Sequence, residues 1–152
     1  MKIRIQEPPP NMNEIMKYLP DWKQRVFTYG PVLYNPNGLQ IDAGTARHEE
    51  HHSWQQTTYK AHGILTIIPK LRVKEWWDRY LKSWAFRLSQ EISAYQVQYR
   101  EYAKVIINPK ERERVVKSLA QRLCVFDMDR KLISLKDATN AIISEKDYNF
   151  RV

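Results

Sequence analysis

The chain has 152 residues, enough for one domain with a single core, and its 43% hydrophobic content with five Trp, nine Tyr and four Phe excludes a disordered chain. The single cysteine, Cys124, excludes an internal disulfide, and the N-terminus has no apolar run of signal-peptide or membrane-span length, so we expect a cytoplasmic protein without membrane association. The net charge of +8 favours an acidic partner, but the basic residues are spread along the chain rather than gathered in one tract.

Residues 1–20 are predicted to form an N-terminal arm, followed by a single domain over residues 21–152. In the arm, "EPPPN" favours a stiff, extended conformation, and the amphipathic "NEIMKYLP" favours a short helix that Pro20 ends. Between Arg25 and Leu39, β-branched and aromatic residues alternate with Gly and Pro turns, which predicts two short strands. We expect a short antiparallel sheet or hairpin here and no strand elsewhere.

The rest of the chain is predicted to be helical, which gives an α+β fold class with a mainly helical domain. A helix is predicted over residues 45–60, with Thr45 as the N-cap. Apolar residues spaced three and four apart predict helices over residues 73–81 and 85–106. Two further helices begin with capping sequences, "NPKE" at Asn108 and "SLKD" at Ser134.

Three of the four histidines lie in "TARHEEHHSWQQ", which contains the pattern H-E-x-x-H. His48 and His52 are one helical turn apart, so both imidazoles can reach one metal ion. Zinc lowers the pKa of a bound water to about 7, and the neighbouring Glu49 can take the proton of that water. This is the chemistry of peptide hydrolysis. A charged, solvated helix face is the alternative interpretation, because Glu50 and His51 are also polar.

A zinc site needs a third ligand, and the sequence offers two candidates. His62 lies beside Gly63 in a predicted loop. Glu91 interrupts an apolar and aromatic stripe of the long helix, where a carboxylate is costly unless it is paired or bound to a cation. A salt bridge to Arg25 or Arg47 would also explain this carboxylate. A metal ion accounts for both the histidine pair and Glu91, so we favour it.

These two motifs together resemble the gluzincin metallopeptidases, in which H-E-x-x-H on one helix is joined by a glutamate of a later helix, often in an E-x-x-A context. Here that context is "EISA", which begins at Glu91. More narrowly, H-E-x-x-H-x-x-Q-Q with a later F-R-x-x-x-E-x-x-A-Y is similar to small gluzincin-like proteins of bacteriophage and bacterial genomes. The resemblance covers about residues 25–102.

The resemblance implies a zinc-dependent metallopeptidase acting on a polypeptide substrate. It implies that His48, His52 and Glu91 bind Zn²⁺ and that Glu49 is the general base. Tyr95, one turn beyond Glu91, could donate to an oxyanion, with a core tyrosine as the alternative. The resemblance also suggests that the strand segment "VFTYGPVLY" binds extended substrate along its edge.

The sequence is compatible with more than one role for Gln55 and Gln56 and with more than one function for the protein. Gln55 and Gln56 are expected either to hold a metal ligand or contact substrate, or to lie on the helix surface. A second hypothesis is a structural or assembly protein of a phage particle, which docks on phage structural proteins through its N-terminal arm and is cytoplasmic in the host or virion-associated. A third is nucleic-acid binding through Arg, Tyr and Trp side chains, which the charge permits without favouring it.

Overall fold

The computed structural model describes residues 1–60, 68–125 and 133–144 of the chain. Helices dominate this part, and a three-stranded sheet lies near the N-terminus, so the predicted α+β class is confirmed. The elements in chain order are β1 (Lys2–Ile5), α1 (Met12–Tyr18), a 3₁₀ turn (Trp22–Gln24), β2 (Phe27–Tyr29), β3 (Val32–Asn35), α2 (Ala43–Thr58), α3 (Pro69–Lys82), α4 (Trp84–Val105), α5 (Pro109–Val125) and α6 (Leu135–Ile143).

The chain divides into two compact units. The first comprises Met1–Asp42 and Glu49–Arg87, and the second comprises Ala43–His48 and Leu88–Val152. The division falls within helix α2, so this one helix contributes its first residues to the second unit and the remainder to the first. In the described part of the chain, no helix combines the length and the apolar character that crossing a bilayer requires.

The sheet of the first unit has the strand order β1-β3-β2. Strands β2 and β3 form the predicted antiparallel hairpin, in which Tyr29 lies opposite Val32. Its two-residue turn uses Gly30 at φ +58°, a conformation that side chains with a Cβ rarely adopt, followed by Pro31. Strand β1 pairs in parallel with β3, so the expectation of no further strand was wrong.

The core of the first unit is largely aromatic. Trp76 is 1% exposed and stacks on Tyr80 with ring centroids 4.8 Å apart. Helix α1 contacts α3, and its Ile15 is completely buried. Residues 1–20, predicted as an arm, therefore contribute a strand and a core helix to this unit, and docking of this segment on another subunit stays a prediction. The core cluster consists of Ile15, Leu19, Phe27, Val73, Trp76, Trp77, Tyr80, Leu81 and Phe86.

The core of the second unit lies among α4, α5 and α6, whose apolar stripes supply nearly all of it. Each fully buried Leu or Ile contributes about 1.5–3 kcal/mol to folding. The predicted caps of α5 and α6 are confirmed: Asn108 Oδ1 accepts from the Lys110 amide at 2.9 Å, and Ser134 Oγ accepts from the Asp137 amide at 3.1 Å. The cluster consists of Leu88, Ile92, Tyr95, Val116, Leu119, Ala120, Leu123, Ala138, Ala141 and Ile142.

Helix α3 ends where α4 is about to begin, at Ser83. The Ser83 amide still bonds to the Arg79 carbonyl, but its backbone is extended. The guanidinium of Arg87 then donates to the carbonyls of Tyr80 and Leu81 at 2.9 and 2.6 Å. These carbonyls belong to the last turn of α3, where an arginine satisfies groups that the helix itself leaves without partners.

Candidate metal centre

Helix α2 is polar along much of its length and yet buries five of its polar side chains. Each of these residues is at most 7% exposed. Polar side chains are buried only where other groups satisfy them, so the solvated helix face considered above is excluded for these positions. The five are His48, Glu49, His52, Gln55 and Gln56.

The residues His48, His52 and Glu91 converge in the structure. Each offers one ligand atom, and these atoms all lie within 4.8 Å of one another. Nε2 of His48 is 3.5 Å from Oε2 of Glu91. Among the residues that the structure describes, this is the one group of three His, Cys, Asp or Glu side chains with ligand atoms so close together. The described chain thus contains a buried group that could hold a metal ion.

The donor set and the spacing fit a zinc ion. In a tetrahedral site with bonds of about 2.0–2.1 Å, neighbouring ligand atoms lie about 3.4 Å apart. The separation of 3.5 Å between His48 and Glu91 corresponds to one edge of such a site. The other separations between the ligand atoms are at most 4.8 Å. Two imidazoles and one carboxylate would leave one position of a tetrahedral ion open.

Tyr95 lies next to His48. The two ring centroids are 4.6 Å apart, and the rings meet edge to face at 68°. Tyr95 is 6% exposed and also belongs to the core cluster of the second unit. It therefore supports the His48 ring whether or not its hydroxyl takes part in chemistry.

The ring of His52 is held by contacts within the first unit. Nδ1 of His52 is 2.7 Å from Oε1 of Gln55, the residue one turn further along the helix. Trp76 and Tyr80 approach the ring edge to face, with centroid distances of 5.7 and 6.2 Å. Of the roles considered for Gln55, contact with His52, a candidate metal ligand, is the one that the structure shows.

Glu49 faces strand β2. The hydroxyl of Thr28 donates to Glu49 Oε2 at 2.7 Å, and both residues are buried. Thr28 Oγ1 also lies 3.1 Å from the Glu49 carbonyl. No sequence pattern points to Thr28, because a threonine in a predicted strand is ordinary and its partner lies 21 positions away. The hydroxyl provides a fixed donor for one carboxylate oxygen.

Gln56 occupies the outer edge of β2. Because alternate residues of an antiparallel strand direct their backbone groups away from the partner strand, the Thr28 carbonyl faces away from β3. Gln56 Nε2 donates to it at 2.8 Å, Trp77 Nε1 donates at 3.2 Å, and the Gly30 amide donates to Gln56 Oε1 at 2.7 Å. An extended substrate at this edge would have to displace Gln56, which counts against the predicted edge binding.

The two arginines considered as partners of Glu91 each lie beside another carboxylate. Arg25 pairs with Asp21, and Arg47 lies 3.9 Å from Glu101. The hydrogen bond from Lys104, with a smaller contribution from Arg47, holds the pKa of the Glu101 carboxyl below its ordinary value. The 3.5 Å approach of His48 Nε2 to Glu91 Oε2 places an imidazole beside this carboxylate, as a metal ion shared by the two residues requires.

The other two histidines have different surroundings. The ring of His51 stacks on Trp54 with centroids 5.3 Å apart, and Trp54 is 58% exposed. His51 is not part of the converging group. The alternative donor His62 falls outside the described residues.

The start of α2 approaches α4 closely at a glycine. A Cβ added to Gly44 would lie 2.4 Å from ring carbons of Tyr102. Gly44 precedes His48 by one turn, and Tyr102 lies on the same helix as Glu91. The glycine therefore permits the helix approach that brings His48 to Glu91.

Comparison of the chain with protein-family models, curated proteins and solved structures gave no significant match. The functional conclusions therefore depend on the site itself. Its donor set, burial and hydrogen bonds are the observations that carry them.

Proposed function

We propose that the protein is a zinc-dependent hydrolase of gluzincin type that cleaves peptide bonds. The observation that carries the proposal is the buried convergence of His48, His52 and Glu91 within 4.8 Å. Two of these residues come from an H-E-x-x-H helix and the third from a later helix, which is the arrangement of ligands in that class. Each residue is of a type that zinc prefers, and the count of three leaves room for water.

The chain's own residues support a division of roles in hydrolysis. A bound zinc ion supplies Lewis acidity and lowers the pKa of a water molecule. Glu49 accepts the proton of the attacking water and later gives it to the leaving amine. Thr28 holds one oxygen of that carboxylate by its 2.7 Å hydrogen bond and so fixes the direction of the other. Tyr95 supports His48 and is the candidate donor to the developing oxyanion.

The burial of the ligands favours a second candidate function. None of the three ligand residues is more than 7% exposed, and such enclosure is typical of a metal that stabilises a fold. In that case zinc would connect α2 to α4 without turnover, as in the hypothesis of a structural or assembly protein. The two functions share the metal site and differ in the role of Glu49.

Metal analysis is the first test. Protein reconstituted with zinc is expected to retain about one ion per chain after removal of excess metal, and His48→Ala and Glu91→Ala are expected to lose it. Zinc content that is equal in wild type and both variants would show that these residues do not form the site. Circular dichroism establishes that each variant is folded.

Hydrolysis of a peptide library, followed by mass spectrometry, separates the two functions. Glu49→Gln keeps an oxygen that can accept from Thr28 and is expected to retain zinc, but to lose roughly 100-fold or more of the activity because it cannot take a proton. Glu50→Gln, the neighbouring residue outside the converging group, is the matched control and should keep wild-type activity. Hydrolysis that survives Glu49→Gln would refute the catalytic proposal, and zinc binding without any turnover would favour the structural function.

A further inference from the structure

Gln55 and His52 form a buried pair on one face of helix α2. They are 7% and 6% exposed, and Gln55 Oε1 lies 2.7 Å from His52 Nδ1. Their spacing of three residues brings the two side chains together on the helix surface. At this distance the contact is a short hydrogen bond in which one of the two groups must supply the proton.

The oxygen of Gln55 determines which nitrogen of His52 carries the proton. An amide oxygen only accepts, so Nδ1 must be the donor. A neutral imidazole with its proton on Nδ1 has its lone pair on Nε2. Nε2 is then the nitrogen that is available to a metal ion. With the amide reversed, Nδ1 would be the acceptor and Nε2 would carry the proton, which would prevent it from binding metal.

The surroundings of His52 limit the orientation of its ring. Trp76 and Tyr80 meet the ring edge to face, at 5.7 and 6.2 Å, and both are nearly fully buried. The rings of Trp76 and Tyr80 also stack on each other, with centroids 4.8 Å apart, so each limits the movement of the other. These two rings restrict the tilt of the imidazole, while Gln55 contacts only one of its two nitrogens, Nδ1.

We infer that Gln55 is a positioning residue of the metal site, which holds His52 as the Nδ1–H tautomer and so presents Nε2 to the ion. The inference rests on the metal-binding part of the proposed function. It does not depend on catalysis, since a zinc ion that only stabilises the fold needs the same tautomer. Partners of this kind orient metal ligands, and their loss typically lowers metal affinity about 10–100-fold.

The tautomer can be measured directly in the metal-free protein. Long-range ¹H–¹⁵N spectra distinguish protonated from bare ring nitrogens, and His52→Ala assigns the signals. We expect the proton of His52 on Nδ1 in the wild type and a mixture of tautomers in Gln55→Leu. A proton found on Nε2 in the wild type would overturn the inference.

Zinc affinity, measured by competition with a chromophoric chelator, provides the second readout. Gln55→Leu is expected to bind zinc about 10–100-fold more weakly, whereas Gln55→Glu keeps an acceptor and should bind at least as tightly as wild type. Gln96→Leu is the matched control, because Gln96 is also buried and donates to the Ala141 carbonyl at 2.8 Å. It should keep wild-type zinc affinity even if its stability falls.

The outcomes separate this inference from the proposed function. Equal zinc affinity in wild type and Gln55→Leu would overturn the inference and leave the zinc site standing. A wild-type protein that shows the Nδ1–H tautomer but binds no zinc would overturn the zinc-dependent function and, with it, the assignment of Gln55 to a metal site, while the orientation of the His52 ring by Gln55 would stand.

Discussion

The close approach of Gly44 to Tyr102 allows a quantitative test of how the site is assembled. In Gly44→Ala, the new Cβ would lie 2.4 Å from Cε1 and Cζ of Tyr102 and 2.9 Å from its hydroxyl oxygen. Carbon atoms in contact are normally about 3.5–4.0 Å apart, so the ring or the helix must move by about 1 Å. Tyr102 packs against the core of the second unit and accepts a hydrogen bond from Gln98 at 3.1 Å, and these interactions oppose the movement of its ring.

The expected cost follows from two opposing effects. Overpacking a filled site costs about 1–3 kcal/mol. Alanine is favoured over glycine within a helix by at most about 1 kcal/mol, and Gly44 lies in the first turn, where the gain is smaller. We therefore expect Gly44→Ala to lower the free energy of unfolding by about 1–2 kcal/mol.

Urea unfolding followed by circular dichroism measures this change. A double-mutant cycle with Tyr102→Ala is the control, because removal of the ring should make Gly44→Ala neutral or slightly stabilising. Since His48 follows Gly44 by one turn, zinc affinity is expected to fall in Gly44→Ala as well. A single variant as stable as wild type, or an equal loss with and without the Tyr102 ring, would refute the role of this contact.

Two further predictions concern strand β2. Thr28→Val removes the donor to Glu49 and should lower the hydrolysis rate, and it should lower the free energy of unfolding by about 1–3 kcal/mol, with zinc content unchanged. Thr28→Ser keeps the hydroxyl and should retain the wild-type rate and stability. A Thr28→Val variant with wild-type rate and stability would contradict the role of this hydrogen bond. Burial, and to a lesser extent Asp78 and Tyr34, raise the pKa of the Tyr29 phenol above its ordinary value. The folded protein therefore holds the Tyr29 proton more tightly than the unfolded chain does. The contribution of the protonated Tyr29 phenol to stability is complete below about pH 10 and is lost as the pH rises through the folded-state pKa. Tyr29→Phe should flatten the loss of stability measured by urea unfolding between about pH 9 and 11, and an unchanged slope would refute it.

The features predicted correctly from the sequence are those that short-range patterns determine. The caps at Asn108 and Ser134 depend on residues within one turn, and the helix pair on either side of Ser83 depends on local apolar spacing. Glu91 was found because a carboxylate within an apolar stripe is costly and so requires a specific partner. These signals are local, or they concern one unusual residue in a regular pattern.

The features that were missed depend on pairing between distant segments. Strand β1 has four residues and pairs with β3 in parallel, with α1 and β2 intervening in the chain. Short strands carry a weak periodic signal, and a parallel partner is not indicated by a tight turn. The Thr28–Glu49 hydrogen bond and the Gly44–Tyr102 contact likewise join residues that are far apart in the sequence. Threonine and glycine are common residue types, so neither Thr28 nor Gly44 is distinctive before the fold is known.

Helix α2 illustrates how burial can change the interpretation of a polar sequence. Its composition suits a solvated helix, but in the structure Glu49, His52 and Gln56 form hydrogen bonds with neutral groups of the first unit. His48 and Glu91 are different, because they place an imidazole 3.5 Å from a buried carboxylate. Desolvating that carboxylate is costly, and a divalent cation bound by both groups would offset the cost. The metal would then stabilise the same helix approach that creates its site, and its binding would account for the buried polar residues on this face of α2.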